Sequence, residues 1–224
     1  MNMRNGARSL AAGLAVVLTV TVAVTAQQRR GGGPPAPEGP PTAMRLQVVE
    51  GSHAQYRVRE QLAGISFPND AVGSTTDVKG QIVVDEKGQI DAAQSKITVV
   101  LTSLKSDQDM RDGYIRGERG LNTEKVPTAE FVPKRAVGLP WPLPSGQQAQ
   151  GGFQLVGDMT VYGNTSEVTW NVVATFNPKM VAGRATTEFP FTQFKIPKPS
   201  LARLMSVDDT IHLELELRFA RQPL

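Results

Sequence analysis

Apolar and polar side chains alternate along most of the chain after residue 44, and a period of two predicts β-strands. Tyr56, Val58 and Leu62 share one side of QYRVREQL, and Val78, Ile82 and Val84 share one side of VKGQIVVD. Asp85-Glu86-Lys87-Gly88 then reads as a hairpin turn. Ile97, Val99 and Leu101 oppose Lys96, Thr98 and Thr102. Glu130-Phe131-Val132 opens a strand that Pro133 is expected to stop. After a Pro-, Gly- and Gln-rich loop over 138–152, Phe153, Leu155, Met159 and Val161 alternate with Gln154, Asp158 and Thr160. Gly163-Asn164-Thr165-Ser166 turns the chain into Val168, Trp170, Val172, Ala174 and Phe176. The last strand alternates without a break, Ile211, Leu213, Leu215, Leu217 and Phe219 against His212, Glu214, Glu216 and Arg218.

Strands with one apolar and one polar face belong to antiparallel sheet, because parallel α/β sheet reads as continuous apolar runs with helices between them. Many such strands separated by short turns predict an all-β sandwich or barrel. A barrel of about eight strands either fills itself with side chains or holds one small ligand. Small and medium apolar residues outnumber bulky aromatics on these faces, which leaves room for a ligand.

One stretch, Ser103 to Phe131, breaks the alternation. It carries Asp107, Asp109, Arg111, Asp112, Arg116, Glu118 and Arg119. Ser106 followed by Asp109 fits a capping box at a helix start. Met110, Tyr114 and Leu121 fall at helical spacing, and Gly120 suits a C-terminal stop. The spacing predicts a short helix across the barrel mouth that buries Met110 and Tyr114. Arg111 and Asp112 are expected to pair with each other first. Alternatively Arg111 or Arg116 grips an anionic headgroup, since a guanidinium matches phosphate oxygens with a fork of donors.

The first 43 residues follow other rules. Arg4 and Arg8 precede an apolar run, Leu10 to Ala26, that ends in small residues. This is the pattern of a secretory signal peptide over 1–26, cut after Ala26, with an uncleaved anchor helix as the rival. Export to the periplasm or beyond follows, with no membrane span left after cleavage. Residues 27–43, QQRRGGGPPAPEGPPTA, lack core-forming side chains and read as a Pro/Gly-rich tether. The folding domain then runs over 44–224. The chain has no cysteine, which removes disulfides, thiolate metal sites, a Cys nucleophile and a lipid-modified Cys anchor. The formal charge is +3 and falls to +1 without the two signal-segment arginines. No basic stripe is present, so nucleic acid is a poor partner.

Catalytic constellations are absent from the reading. Of the two histidines, His212 sits on the polar side of the last strand, and His53 has no visible partner. There is no HExxH, GxSxG, P-loop or GxGxxG, and no EF-hand spacing around Asp85, Glu86 and Asp91. Neither a catalytic residue, a metal ligand nor a cofactor is nominated.

Three blocks carry a family resemblance. The first runs Ser103-Leu104-Lys105-Ser106, then Met110-Arg111-Asp112-Gly113-Tyr114-Ile115-Arg116, then Thr123-Glu124-Lys125-Val126-Pro127-Thr128-Ala129-Glu130-Phe131. The second is Gly157-Asp158-Met159-Thr160-Val161-Tyr162-Gly163-Asn164-Thr165, and the third is Val207-Asp208-Asp209-Thr210-Ile211-His212-Leu213. Together the sequence resembles the YceI-like family of polyisoprenoid-binding, lipocalin-like periplasmic proteins, over about Val48 to Phe219. It departs from the family at Glu50-x-x-His53-Ala54, where the family has Asp-x-x-His-Ser. Gly120-Leu121 replaces paired aromatics, Val126 replaces an aromatic before the Pro, and Ser166-Glu167 replaces Lys-Pro.

The resemblance implies an extended antiparallel β-barrel of about eight strands with one short helical insert. It also implies one long isoprenoid or fatty chain in the bore. The bore-lining candidates are Val99, Leu101, Met159, Val161, Trp170, Val172, Leu213 and Leu215. The mouth and headgroup candidates are Met110, Arg111, Tyr114 and Arg116. The partners are a long-chain isoprenoid or other lipid and, as an open option, a second copy of the chain. The competing reading is a filled-barrel interaction module that docks through the charged insert or through Trp141 in the 138–152 loop.

Overall fold

The computed structural model describes residues 42–145 and 149–224. The expected signal peptide and linker lie outside the described residues, apart from Thr42 and Ala43. Eleven strands form one antiparallel sheet: β1 (Met44–Val48), β2 (His53–Leu62), β3 (Asn69–Thr75), β4 (Val78–Val84), β5 (Lys96–Val100), β6 (Lys105–Ser106), β7 (Thr128–Val137), β8 (Ala149–Val161), β9 (Asn164–Phe176), β10 (Met180–Pro190) and β11 (Leu204–Pro223). A short helix, α1 (Asp109–Arg116), stands between β6 and β7, and a single 3₁₀ turn (Phe191–Phe194) follows β10.

The sheet closes on itself. Hydrogen bonding runs β1-β4-β5-β7-β8-β9-β10-β11 and back from β11 to β1. This is an eight-stranded antiparallel barrel, and closure removes the edges that an open sheet would expose. Three of the eight staves are broken. β11 pairs with β1 through Phe219–Pro223 and with β2 through Leu204–Glu216, so β1 and β2 form one bent stave. β3 with β4, and β5 with β6, continue the same bend around the barrel.

Hydroxyls repair the backbone where the staves bend. The buried Ser52 hydroxyl donates to the Val49 carbonyl at 2.9 Å and accepts the Arg218 N–H at 3.0 Å. The Thr75 hydroxyl accepts the Asp77 N–H at 3.0 Å and shares a 2.7 Å hydrogen bond with Ser103, which donates to the Val100 carbonyl. Buried backbone groups left unpaired would cost free energy, so a small hydroxyl is what each bend requires.

Pro133 does not stop its strand. β7 runs through it to Val137, because a register shift between Pro133 and Arg135 places the residue that lacks an N–H at a bulge. Its partner is Gly157, where an added Cβ would lie 2.2 Å from the Val132 carbonyl oxygen. The barrel wall closes tightly there only because the glycine has no side chain.

The two ends of the barrel differ. At the end formed by β1 and the start of β8, the interior is filled by Phe153, Phe176 and Phe219, with the Phe153 and Phe176 rings 6.5 Å apart. The 138–145 segment folds over this end and buries Leu143. Arg221 donates to the Pro144 carbonyl at 3.0 Å. Trp141, read from sequence as an exposed docking residue, is half-buried over Gly88 and donates Nε1–H to the Glu86 carbonyl at 2.8 Å. At the opposite end stand the β2–β3 turn, α1 and the 195–203 segment.

Gly157→Ala is expected to lower unfolding stability by roughly 1–3 kcal/mol, the usual range for a forced steric insertion. Urea unfolding should show a lower midpoint with an unchanged slope.

Candidate functional site

Strand pairing is interrupted between β6 and β7. Pairing of β5 with β7 ends at Val100 opposite Thr128, with one further bond from the Leu101 N–H to the Pro127 carbonyl at 2.8 Å. β6 continues beyond this point and pairs only with β3. α1 covers its free edge with side chains in place of a strand. Asp112, 3% exposed, accepts the Ser106 N–H at 2.8 Å and the Ser106 hydroxyl at 2.7 Å. Arg116, one turn on, points to the Thr102 and Leu104 carbonyls at 3.4 and 3.5 Å.

This docking corrects five expectations. Asp112 is not paired with Arg111; it is spent on the sheet edge. The capping box does not form, because Ser106 bonds Asp112 and the N-cap residue Gln108 makes no side-chain cap. Arg116 faces the β5–β6 edge and not a headgroup. Met110 is 81% exposed, since the helix turns its Asp112 side inward and Met110 falls outside. The helix also ends at Arg116, so Gly120 lies in the following turn, where a Cβ would meet the Tyr114 and Ile115 carbonyls at 2.4 Å.

Arg111 spans the mouth instead. Its guanidinium donates to Glu60 on β2 at 2.9 Å and to Asp107 one turn back. Arg111 and Glu60 are 11% and 12% exposed, while Asp107 is largely in solvent. Glu60 also accepts from the Asn69 side-chain amide at 3.3 Å. One guanidinium is thus matched by two carboxylates. Below them, Tyr56 lies across Gly73, its cross-strand partner, in space that a Cβ at position 73 would fill. Burial pushes the Tyr56 phenol well above its ordinary range, against the opposing pull of Arg111, so it stays a neutral hydroxyl.

Beneath the mouth lies a cavity of about 580 Å³. This is within the range of roughly 300–1,000 Å³ typical of small-molecule sites. Val99, Leu101, Met159, Val161, Trp170, Leu213 and Leu215 stand on its wall, with Met110, Arg111 and Tyr114 at its opening. Val172 does not reach it. The residue points inward but sits one layer past Trp170, where it packs on the filled half of the core. The cavity is therefore one-ended: Phe131 and Trp170, with rings 6.0 Å apart, stand at its inner end.

Several wall residues carried no expectation from sequence. Ala54, Ala71 and Ala129 line the barrel side. Phe191, Ile196, Pro197, Pro199 and Leu201 line the mouth from a segment without strand periodicity. Glu60 was detectable: it holds the inward place between Val58 and Leu62, where the alternation calls for an apolar side chain. Among the described residues no group of three or more His, Asp or Glu could hold a metal ion.

A closed antiparallel barrel with an apolar, one-ended interior defines the lipocalin-like class of binding barrels. Residues 48–219 match the sequence pattern of the YceI-like domain, and the chain belongs to the YceI-like family. Protein YceI of Escherichia coli O17:K52:H18 is 30% identical over 120 residues, which cover 54% of this chain and 56% of that protein. The chain thus spans about half the length of the curated relatives it matches. The fold is similar to that of a polyisoprenoid binding domain from Saccharophagus degradans, with TM-score 0.62 and 11% identity over 81% of this chain and 99% of that one. Burkholderia cenocepacia BcnA gives TM-score 0.55 and 16% identity, covering 75% of this chain and 95% of that one. Campylobacter jejuni YCEI protein gives 0.54 and 13%, covering 72% and 91%.

Removing Glu60 leaves Arg111 only its solvent-exposed partner. Glu60→Ala should cost about 1–3 kcal/mol, the penalty for stranding a poorly solvated charged group, and Asp107→Ala well under 1 kcal/mol. A double-mutant cycle with Arg111→Met, read by urea unfolding, checks the pairing.

Asp112 gives a pH test. Burial pushes its carboxyl up, but the two Ser106 hydrogen bonds, with Arg116 and Lys105 nearby, outweigh this and hold it below the ordinary carboxylate range. A depressed folded-state value stabilises the protein above the unfolded carboxylate pKa of about 4 and is lost as pH falls through the folded value. The stability gap between wild type and Asp112→Asn should therefore be full at neutral pH and shrink in acid. A gap that stays constant down to the acid transition would show that the Asp112 charge is not what holds the helix to the edge.

Proposed function

We propose that this chain is a lipid-binding barrel that shelters the apolar chain of one isoprenoid or fatty molecule in the mouth-side cavity. The observation that carries the proposal is the cavity itself: large, apolar along the barrel wall, closed at the inner end and open at one mouth. Each methylene moved from water into such a space gains about 0.8 kcal/mol, so affinity needs few polar contacts. The fold-level likeness to a polyisoprenoid binding domain supports the same reading. The cavity and the packed Trp141 weigh against a filled docking module.

The mouth favours an uncharged head. A phosphate would meet Glu60 and Asp107 around an Arg111 they already satisfy, and like charges brought together cost affinity. Tyr56 instead offers a neutral hydroxyl. The amino-terminal segment, with its basic start and apolar run, would send the protein to the periplasm or beyond, where it would carry a molecule too insoluble to travel alone.

Organic extraction of the purified protein followed by mass spectrometry should recover a long-chain lipid. Ala71→Trp, which places an indole in the cavity, should sharply reduce that recovery while leaving the far-end core intact. A fluorescent polyprenol should bind at least about tenfold tighter than its phosphate, a difference of about 1.4 kcal/mol. Extraction without lipid, together with no uptake of the fluorescent polyprenol, would refute the proposal.

A further inference from the structure

Exposed apolar side chains are not scattered over this barrel. Eight large hydrophobic residues are exposed among the described residues, and five stand at the mouth: Ile65 (49%), Phe67 (78%), Met110 (81%), Leu201 (43%) and Met205 (69%). They come from three segments that the fold brings together. The Ala63 N–H bonds the Arg203 carbonyl at 2.9 Å, and Leu204 pairs with Leu62, so the β2–β3 turn lies beside residues 201–205. Ile65, Met110 and Leu201 also line the opening of the cavity. The apolar surface is thus continuous from the outer rim to the interior. An exposed apolar patch of this kind marks an interaction surface, and the fold itself does not need it.

The charges around the rim indicate the partner. Residues 61–68, Gln61-Leu-Ala-Gly-Ile-Ser-Phe-Pro68, carry no charge. Residues 195–205 carry Lys195, Lys198 and Arg203 and no carboxylate; Lys198 has only a solvent-exposed contact, 3.7 Å, with Asp209. Apolar residues flanked by cations suit an anionic bilayer surface, where each basic residue near the headgroups contributes about 1 kcal/mol. Asp107 and Asp109 lie on the helix side of the rim, where an anionic surface would repel them, so the 195–205 side is the one suited to face lipid.

We infer that the mouth rim is a membrane-docking surface that sets the cavity opening against an anionic bilayer, with Phe67 and Met205 inserted among the lipids. The inference rests on the lipid-binding reading, and it supplies the step that reading lacks. A long apolar chain cannot cross water without losing, methylene by methylene, the same free energy that holds it in the cavity. A rim pressed into the bilayer gives the chain a path without water.

The absence of cysteine makes the test clean. Phe67→Cys, Met205→Cys and Val173→Cys, each carrying an environment-sensitive fluorophore, report two rim sites and one exposed site on the outer wall of the filled half. Mixed with vesicles of phosphatidylcholine and phosphatidylglycerol, the full-length chain should show a blue shift and a several-fold rise in emission at positions 67 and 205. Position 173 should not respond, and high salt or vesicles of phosphatidylcholine alone should weaken the rim response. No response at 67 and 205, as expected if the rim docks on a protein, overturns the inference. So does an equal response at 173. An equal response on neutral vesicles overturns the anionic-surface assignment. Uptake of a fluorescent polyprenol is followed in parallel from detergent: uptake without insertion defeats the docking surface alone, and insertion without uptake defeats the lipid-binding reading alone.

Discussion

The Asp112 carboxylate holds the mouth of this barrel together. β6 runs past the end of β7 and leaves an open sheet edge. A free N–H at such an edge must be satisfied or hydrated. Asp112 takes both donors of Ser106, and Arg116 lies over two carbonyls on the same stretch, so one face of a two-turn helix replaces a ninth strand. Everything else at the mouth follows from that docking. With Asp112 against β6, Arg111 is turned toward Glu60, Tyr114 toward the cavity and Met110 toward solvent. The helix has little apolar surface of its own to bury, and three glycines follow or interrupt it. Polar contacts therefore position it, which is unusual for a helix in a globular domain.

The same open edge explains why the barrel is half hollow. Where eight staves close with good pairing, inward side chains meet across the axis and fill it, as Phe153, Phe176 and Phe219 do. Where the staves bend and β6 leaves β7, the wall spreads. Small residues on the inner face, Ala54, Ala71 and Ala129, then leave space that no side chain occupies. The bends cost backbone hydrogen bonds, and Ser52, Thr75 and Ser103 restore them with hydroxyls. The filled half packs its aromatic core and its Leu143 plug across the axis, while Phe189, Phe191 and Phe194 pack beside the cavity.

How much of this was legible in the sequence depended on periodicity. β9 and β11 alternate so regularly that their inward residues could be read directly, and Trp170, Leu213 and Leu215 stand on the cavity wall. Alternation fixes which side of a strand faces inward but not how deep along the axis a residue sits, which is why Val172 falls past the cavity floor. Pro133 misled because a bulge absorbs a missing N–H, and a bulge leaves no mark in a period of two. In the insert, helical spacing located α1 but assigned its buried face to Met110 and Tyr114. The buried face is set by an acid that satisfies a sheet edge, and apolar periodicity cannot report that. Residues 191–204 have no period at all, so their part in the mouth was invisible.

Glu60 shows how such a mouth could work. A carboxylate at an inward strand position is costly unless a cation meets it, and Arg111 meets it from a helix held by different bonds. The pair therefore couples two elements that otherwise touch little: β2, which belongs to the barrel wall, and α1, which is docked on β6. Breaking the pair costs the wall nothing in backbone hydrogen bonds, because β2 keeps its ladders to β3 and β11. Nor does it release the helix, because Asp112 keeps its hold on Ser106. Arg111 and Glu60 are both poorly exposed, so their ion pair is a strong tie between the wall and the helix.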